Sequence, residues 1–319
     1  MKILVTGGVG FVGSHLVWAA ADAGHDLVVL DDFSGGVPAV LPDRVRVVRG
    51  DIGDAATLDA VLGDGVEAVV HFAGKIQVGE SVRMPGPYFD TNFVKSLRLL
   101  EAIARHRIER LVFSSTAAVY GTPDLALIPE TAPTVPVNPY GASKLSFEYA
   151  LAGFERAHGV RWAALRYFNA SGARRDGRLR ENHEPETHLI PLVIDAGLGR
   201  RPPVTIMGTD YATRDGTCLR DYIHVEDLAS AHLRAIDVLG RQTVGAANLG
   251  TGRGYTVREV VDAVGEVLGQ PVPHTIGTRR EGDPPALVAD AARARQLLGW
   301  EPTRSELRLV VEDTLRSRR

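Results

Sequence analysis

"KILVTGGVGFVGSH", residues 2–15, joins a short apolar run to a cluster of glycines and the start of an amphipathic stretch. Lys2 to Thr6 reads as a buried strand and the stretch from about Phe11 to Ala23 as a helix. Between them, Gly8, Gly10 and Gly13 fit G-x-G-x-x-G, and Gly7, Gly10 and Gly13 fit G-x-x-G-x-x-G. Residues without Cβ allow the tight turn and let the backbone approach a pyrophosphate, which the free N–H groups at the helix start can bind. Such glycines are weak evidence alone; a strand before and a helix after are the context that a dinucleotide site requires. The next strand ends in Asp31, about 20 residues on, where a carboxylate would accept from ribose hydroxyls. That favours NAD over NADP, whose extra phosphate an acid would repel.

Outward from this turn, short β-branched runs alternate with longer amphipathic ones. Strands are expected at 26–31, 45–51, 67–73, 110–115 and 161–168, with helices near 88–106 and 139–158. The pattern predicts an α/β protein: a Rossmann-type doubly wound parallel sheet. After Asn169 the rhythm breaks, with a strand at 204–207, a helix at 225–239, a strand at 246–250 and helices near 256–268 and 303–316. The division this implies is an NAD-binding domain over 1–169, with segments near 222–250 returning to it, and a smaller C-terminal α/β substrate domain over 170–319.

Bulk properties exclude several classes. The 319 residues are 45% hydrophobic and 24% charged, enough for a large core. A net charge of −3 gives no general pull toward nucleic acid or anionic membrane. No apolar run approaches the roughly 18 residues of a membrane span. Cys218 is the only cysteine, so no internal disulfide can form, and the apolar start is too short for a signal peptide. A cytoplasmic location is expected.

Two further stretches carry chemistry. "FSSTAAVYG" (113–121) ends a strand in Ser114, Ser115 and Thr116, followed by unreactive Ala117 and Ala118. "NPYGASK" (138–144) offers Asn138 as a helix cap, Pro139 in the first turn, and Tyr140 and Lys144 on one face. Lowering a phenol from about 10 to about 7 takes roughly 4 kcal/mol of differential stabilisation. An ammonium, a helix N-terminus and an oxidised nicotinamide act in that direction. Tyr140 is thus the candidate general base, with Lys144 tuning it and Thr116 hydrogen-bonding the substrate hydroxyl. A tyrosine and lysine so spaced also fit a plain surface helix; the glycine-rich turn upstream decides between the two.

These motifs, with "HFAGKIQVGESV" (71–82), "LRYFNASGA" (165–173), "GTDYATRDGTCLRDYIHVEDLA" (208–229) and "RREGDPPA" (279–286), resemble the extended short-chain dehydrogenase/reductases. The resemblance covers nearly the whole chain. It is strongest to members that invert C4 of a UDP-hexose. Dehydratases and decarboxylases of that family place an acid just after the threonine; Ala117 and Ala118 stand there in this chain. The resemblance implies that Tyr140 takes the sugar O4 proton while the C4 hydride passes to NAD. The 4-keto sugar then swings about its pyrophosphate and takes the hydride back on its other face. The rival expectations are 4-epimerisation of another UDP-sugar (UDP-N-acetylglucosamine or UDP-glucuronate), a net oxidoreductase, and a non-catalytic NAD-binding regulator.

The resemblance also implies residue roles. Gly7, Gly10, Phe11 and Val12 would meet the NAD pyrophosphate. Asp31, Asp32 and Ser34 would sit by the adenosine ribose, and Asp51 and Ile52 by the adenine. Phe72, Ala73, Gly74, Lys75, Asn92, Ser114 and Tyr167 would line the rest of the cofactor channel, with Tyr140 and Lys144. UDP would be held by Asn169, Leu189, Thr205, Met207, Arg220, Arg280 and Asp283, the guanidinium forks matching phosphate oxygens. Leu287 stands where a tyrosine or a smaller residue is frequent, leaving room for an N-acetyl group. Lys75, Lys95, Ser96 and His188 depart from the usual pattern; Lys95 and Ser96 bear on local helix packing. A homodimer through the helices near 88–106 and 139–158 is implied. "HEPETH" (183–188) is not H-E-x-x-H: its histidines are five apart and Pro185 breaks the helix, so no metal is expected. Cys218 is expected to pack rather than react.

Overall fold

The computed structural model describes residues 1–35, 38–181, 183, 185–280 and 283–318. Six strands, β1 (Lys2–Thr6), β2 (Asp26–Asp31), β3 (Arg46–Arg49), β4 (Ala68–His71), β5 (Arg110–Thr116) and β6 (Arg161–Tyr167), are joined by a seventh, Gly245–Leu249, in one sheet. From one edge the order is Gly245–Leu249, β6, β5, β4, β1, β2, β3, and every pair is parallel. The order reverses between β1 and β4, the place where doubly wound sheets open a crevice beyond their strand ends.

Alternation along the strands explains why these runs are apolar throughout. Ile3, Val5, Val29 and Val70 enter one core with Leu16 and Val17 of helix Phe11–Asp22 and Leu228 and Ala231 of helix Val225–Leu239. Leu4, Val28, Leu30 and Val69 enter the other, with Leu99 and Ile103 of helix Ser96–Arg105 and Phe147 of helix Pro139–His158. Successive side chains point to opposite faces, and both faces are covered. The short helix Ala292–Leu298 and Trp300 also join the first core.

A third core lies in the C-terminal half, among Ile190, Ile194, Ile206, Val260, Val264 and Val310. Helix Leu189–Gly197 contributes to it, as do helices Val257–Leu268 and Leu307–Ser317. Its strands are short: Val204–Met207 pairs with His274–Gly277, and Leu219–Arg220 lies between Tyr255–Thr256 and Ala286–Leu287.

The helix expected near 88–106 differs in detail. Pro85–Phe89 and Ser96–Arg105 are α-helical, but Asp90–Lys95 between them is a wider π turn. Helix Pro139–His158 starts and stops as its residues dictate. Asn138 accepts from the Gly141 N–H at 2.9 Å, and Gly159 ends it at φ +72°. Among the described residues no helix is long and apolar enough to cross a membrane.

Candidate active site

The C-terminal ends of the strands open into a cleft of about 1210 Å³. Gly7 begins the turn at its floor with φ +70°, and a Cβ there would lie 2.5 Å from the Ala73 backbone nitrogen. A Cβ on Gly13 would meet the Gly7 carbonyl at 2.3 Å, so glycine at 13 lets the helix press on the turn. Phe11 and Val12 line the cleft from the first turn of that helix, where N–H groups lack intrahelical acceptors.

Asp31 lines the cleft while accepting from the Val9 and Phe33 N–H groups at 3.1 and 2.9 Å. Burial pushes its carboxyl up, and these two bonds pull it back. Asp32 accepts from the Ser34 backbone N–H and hydroxyl. Asp51 pairs with Lys95 at 2.5 Å. Partial burial raises the Asp51 carboxyl, but Lys95 and the Gly53 N–H hold it below its ordinary value. Lys95, read from sequence as a matter of helix packing, is therefore a wall of the cleft. Ser96 bonds the buried ring of His71 at 2.8 Å.

Thr116 ends β5 at the cleft, and its hydroxyl accepts from the Ala118 N–H at 3.1 Å. Helix Pro139–His158 runs close to this loop: a Cβ on Gly141 would lie 2.5 Å from the Ala118 carbonyl oxygen. That approach brings Tyr140 to Thr116. Burial pushes the Tyr140 phenol above its ordinary value, and the Thr116 hydroxyl draws it partly down. Lys144 is 2% exposed, and burial brings its ammonium down to about 8. Its Nζ donates to the Ser114 carbonyl at 3.0 Å and lies 4.8 Å from the Phe113 ring centre.

Of the other expected cofactor positions, Ile52, Phe72, Ala73, Gly74, Lys75, Ser114 and Tyr167 line the cleft. Asn92 does not. It sits 1% exposed in the π turn, accepts from the Lys75 N–H at 2.8 Å, and donates to the Lys75 carbonyl at 3.0 Å and to Ser143 at 3.1 Å. Its amide holds the Lys75 backbone in place.

Of the positions expected to meet the sugar nucleotide, Asn169, Arg280, Asp283 and Leu287 line the cleft, as does His188. Leu189, Thr205, Met207 and Arg220 do not, though Arg220 pairs with Asp283 and lies in register with Leu287. Cys218 is buried, which pushes its thiol up and makes it a poor nucleophile.

Two arrangements escaped the sequence reading. Behind the Ser114–Thr116 strand end, Ser115 donates to Glu148 at 2.5 Å. Glu148 pairs with Arg166, which donates to the Tyr120 hydroxyl at 2.8 Å. The other is at "HEPETH", whose Glu184 lies outside the described residues. Glu181 and Glu186 converge there with His183 and His188, and all but Glu186 line the cleft. Burial opposes the charge, yet the carboxylates hold His183 up to about 9 and His188 up to about 10.

A dinucleotide turn at the switch point, and a half-buried tyrosine and a buried lysine one helical turn apart beside the end of a neighbouring strand, place the molecule among nucleotide-dependent enzymes of the α/β class. The chain belongs to the NAD dependent epimerase/dehydratase family, whose model matches residues 3–250. It is 52% identical to the UDP-glucose 4-epimerase of Azospirillum brasilense, covering 98% of this chain and 91% of that one. Among solved structures it is similar to UDP-glucose 4-epimerase from Brucella ovis in complex with NAD. That match has 44% identity and TM-score 0.95, and covers 98% of this chain and 97% of that one. It is also similar to the Bifidobacterium longum enzyme in complex with NAD+ and UDP. There the identity is 37% and the TM-score 0.94, with 100% of this chain and 98% of that one covered.

Proposed function

We propose that this chain inverts C4 of a UDP-hexose, interconverting UDP-glucose and UDP-galactose, with NAD as its bound cofactor. One observation carries the choice of reaction. Thr116 and Tyr140 meet over the cleft, and the two residues after Thr116 are Ala117 and Ala118. A 4-keto sugar at that place meets no carboxyl group from these positions to drive loss of water.

The cleft fits NAD by its own chemistry: glycines that admit a pyrophosphate at a helix start, and carboxylates at Asp31 and Asp32 for ribose hydroxyls. Bound there, NAD supplies a reversible acceptor for the C4 hydrogen. Tyr140 takes the O4 proton and later returns it, and Thr116 holds the hydroxyl in line. Burial alone favours the neutral phenol, so Tyr140 becomes a base only beside a positive charge. Lys144 supplies one such charge and the oxidised nicotinamide ring another. Asn169, Arg280 and Asp283 face the UDP end, and rotation of the sugar about its pyrophosphate presents the second face. Leu287 packs against the hydrophobic cluster that includes Ala117 and Val119, and the space it leaves relative to a tyrosine admits an N-acetyl group at C2.

The protein acts as a homodimer. Phe89, Val94 and Tyr149, on adjoining helical segments, are exposed apolar groups, and pairing two copies on that face would bury them.

The test is incubation with UDP-galactose and NAD, followed by separation of the two hexoses. Interconversion without a steady rise in absorbance at 340 nm supports the reading. A sustained rise identifies a net oxidoreductase, and inactivity toward every UDP-hexose a binding protein. With a label on C4, retention through interconversion is expected; exchange of the label with water would defeat the mechanism.

A further inference from the structure

We propose that Glu181, His183, Glu186 and His188 form a divalent-metal site of the zinc type in the cleft wall. One ligating atom from each lies within 4.8 Å of the other three. A tetrahedral ion with bonds of about 2.1 Å needs ligand atoms about 3.4 Å apart. Here Glu181 Oε1 and His183 Nδ1 are 3.2 Å apart. Glu186 Oε1 lies 3.8 Å from His183 Nδ1 and 3.6 Å from His188 Nδ1. His188 Nδ1 also contacts Glu181 Oε1.

Three of these four spacings bracket a tetrahedral edge, while the Glu181–His188 contact is that of a direct ion pair, which an entering ion would part. Glu181 is 2% exposed, and its Oε1, like His183 Nδ1, is buried without a hydrogen bond of ordinary geometry among the described residues. The two atoms are close without ordinary hydrogen-bond alignment, which leaves both lone pairs open to an ion beside them. Two imidazole nitrogens and two carboxylates are a donor set that zinc accepts. The Glu186 carboxylate is oriented by the Thr187 and His188 N–H groups, at 2.8 and 3.0 Å, as outer-shell partners orient a metal ligand.

Four protein ligands leave no open position, so the ion is structural rather than catalytic. Its place gives it a task. The His183 ring packs edge-on against Phe11 of the glycine-rich turn, and His188 directly precedes helix Leu189–Gly197. The ion would pin the segment that links the cofactor turn to the sugar-nucleotide end.

Tag-free protein, dialysed against a chelator, is titrated with Zn²⁺ and separately with Co²⁺. Neither measurement depends on activity, so failure here leaves the proposed reaction untouched. One ion per chain and visible Co²⁺ bands of tetrahedral type are expected. Glu181→Gln and His183→Ala should each weaken Zn²⁺ by about 10- to 100-fold or more, since outer-shell changes already cost that much. Circular dichroism and NAD binding report whether these variants fold. His183→Cys, a ligand that zinc also takes, should retain the ion and add a sulfur-to-cobalt charge-transfer band. No saturable binding by the wild-type chain, or equal affinity in folded Glu181→Gln and His183→Ala, would mean that the four side chains are an ion-pair cluster only.

Discussion

Tyr140 sits where two effects compete. Its surroundings disfavour the phenolate through burial, and only the Thr116 hydroxyl opposes them in the chain itself. Lys144 gives one N–H to the Ser114 carbonyl, which fixes its positive charge near the site but supplies only one of the two charges that the phenolate needs. The tyrosine is therefore a weak base in the free protein and a competent one with oxidised cofactor bound. Tyr140→Phe should lower kcat by about 10²- to 10⁴-fold, the usual contribution of positioned acid–base catalysis, with NAD binding intact by fluorescence titration. Unchanged kcat would remove this residue from the chemistry. Tyr140, Lys144 and Thr116 were legible in the sequence because a four-residue spacing on a capped helix and a hydroxyl at a strand end are local patterns. That the Asn92 amide bonds both backbone groups of Lys75 could not be read from the sequence, because the two lie 17 residues apart. Glu181 gave no signal, and the histidines of "HEPETH" were read against a metal because their spacing is not helical; these groups meet through a non-helical segment with no period to read.

Elements bring these residues into line, and two of the supports are open to test. The Glu148–Arg166 pair joins helix Pro139–His158 to β6, and both side chains are nearly inaccessible. Removing one partner leaves the other charge buried without compensation. Glu148→Ala should cost about 3–5 kcal/mol of unfolding free energy, read from urea midpoints; a loss under about 1 kcal/mol would show that water reaches Arg166. The π turn at Asp90–Lys95 is the second support, since it lets Asn92 bond both backbone groups of Lys75. Asn92→Ala should destabilise by about 1–3 kcal/mol, the cost of leaving buried polar groups unpaired, and should weaken NAD more than UDP in separate titrations. The long elements were visible in the sequence for a plain reason: strands covered on both faces are continuous apolar runs, and the helices between them keep their period. Helices Ala55–Leu62 and Val78–Arg83 span barely two turns each, too few for a period to stand out. The pairing of Leu219–Arg220 with Ala286–Leu287 is set by contacts distant in sequence, which no local pattern encodes.

At the scale of the whole molecule, the sheet, both covering layers and the C-terminal core close around one cleft. If the exposed face of helices Pro85–Phe89 and Pro139–His158 joins two copies, Tyr149→Glu should shift sedimentation toward the monomer; an unchanged dimer would place the interface elsewhere. Stability of the main core has its own pH signature. His71 and His232 are fully buried on opposite sides of the sheet and lowered by that burial from 6.5 to about 3 and about 4. His232 holds Leu228 O at Nδ1 and the Tyr167 hydroxyl at Nε2, and His71 lies between the Thr6 and Ser96 hydroxyls. Both rings are neutral in the folded chain at pH 5, while the same histidines in the unfolded chain are mostly protonated below 6.5. The unfolded state then binds more protons, and stability rises with pH across that window. Through this pair, acidification from pH 7 to 5 should lower the urea midpoint, by a free energy on the order of a few kcal/mol, while His183 and His188, held up by their carboxylates, offset part of that loss. Carboxylates with depressed values act further down; Asp313, held near 2 against its burial by His224 and Arg304, is one. Replacing His232 with Asn should flatten the slope between pH 7 and 5 even though it lowers the midpoint at pH 7. An identical slope in the variant would show that the buried imidazoles are not the groups that take up the protons.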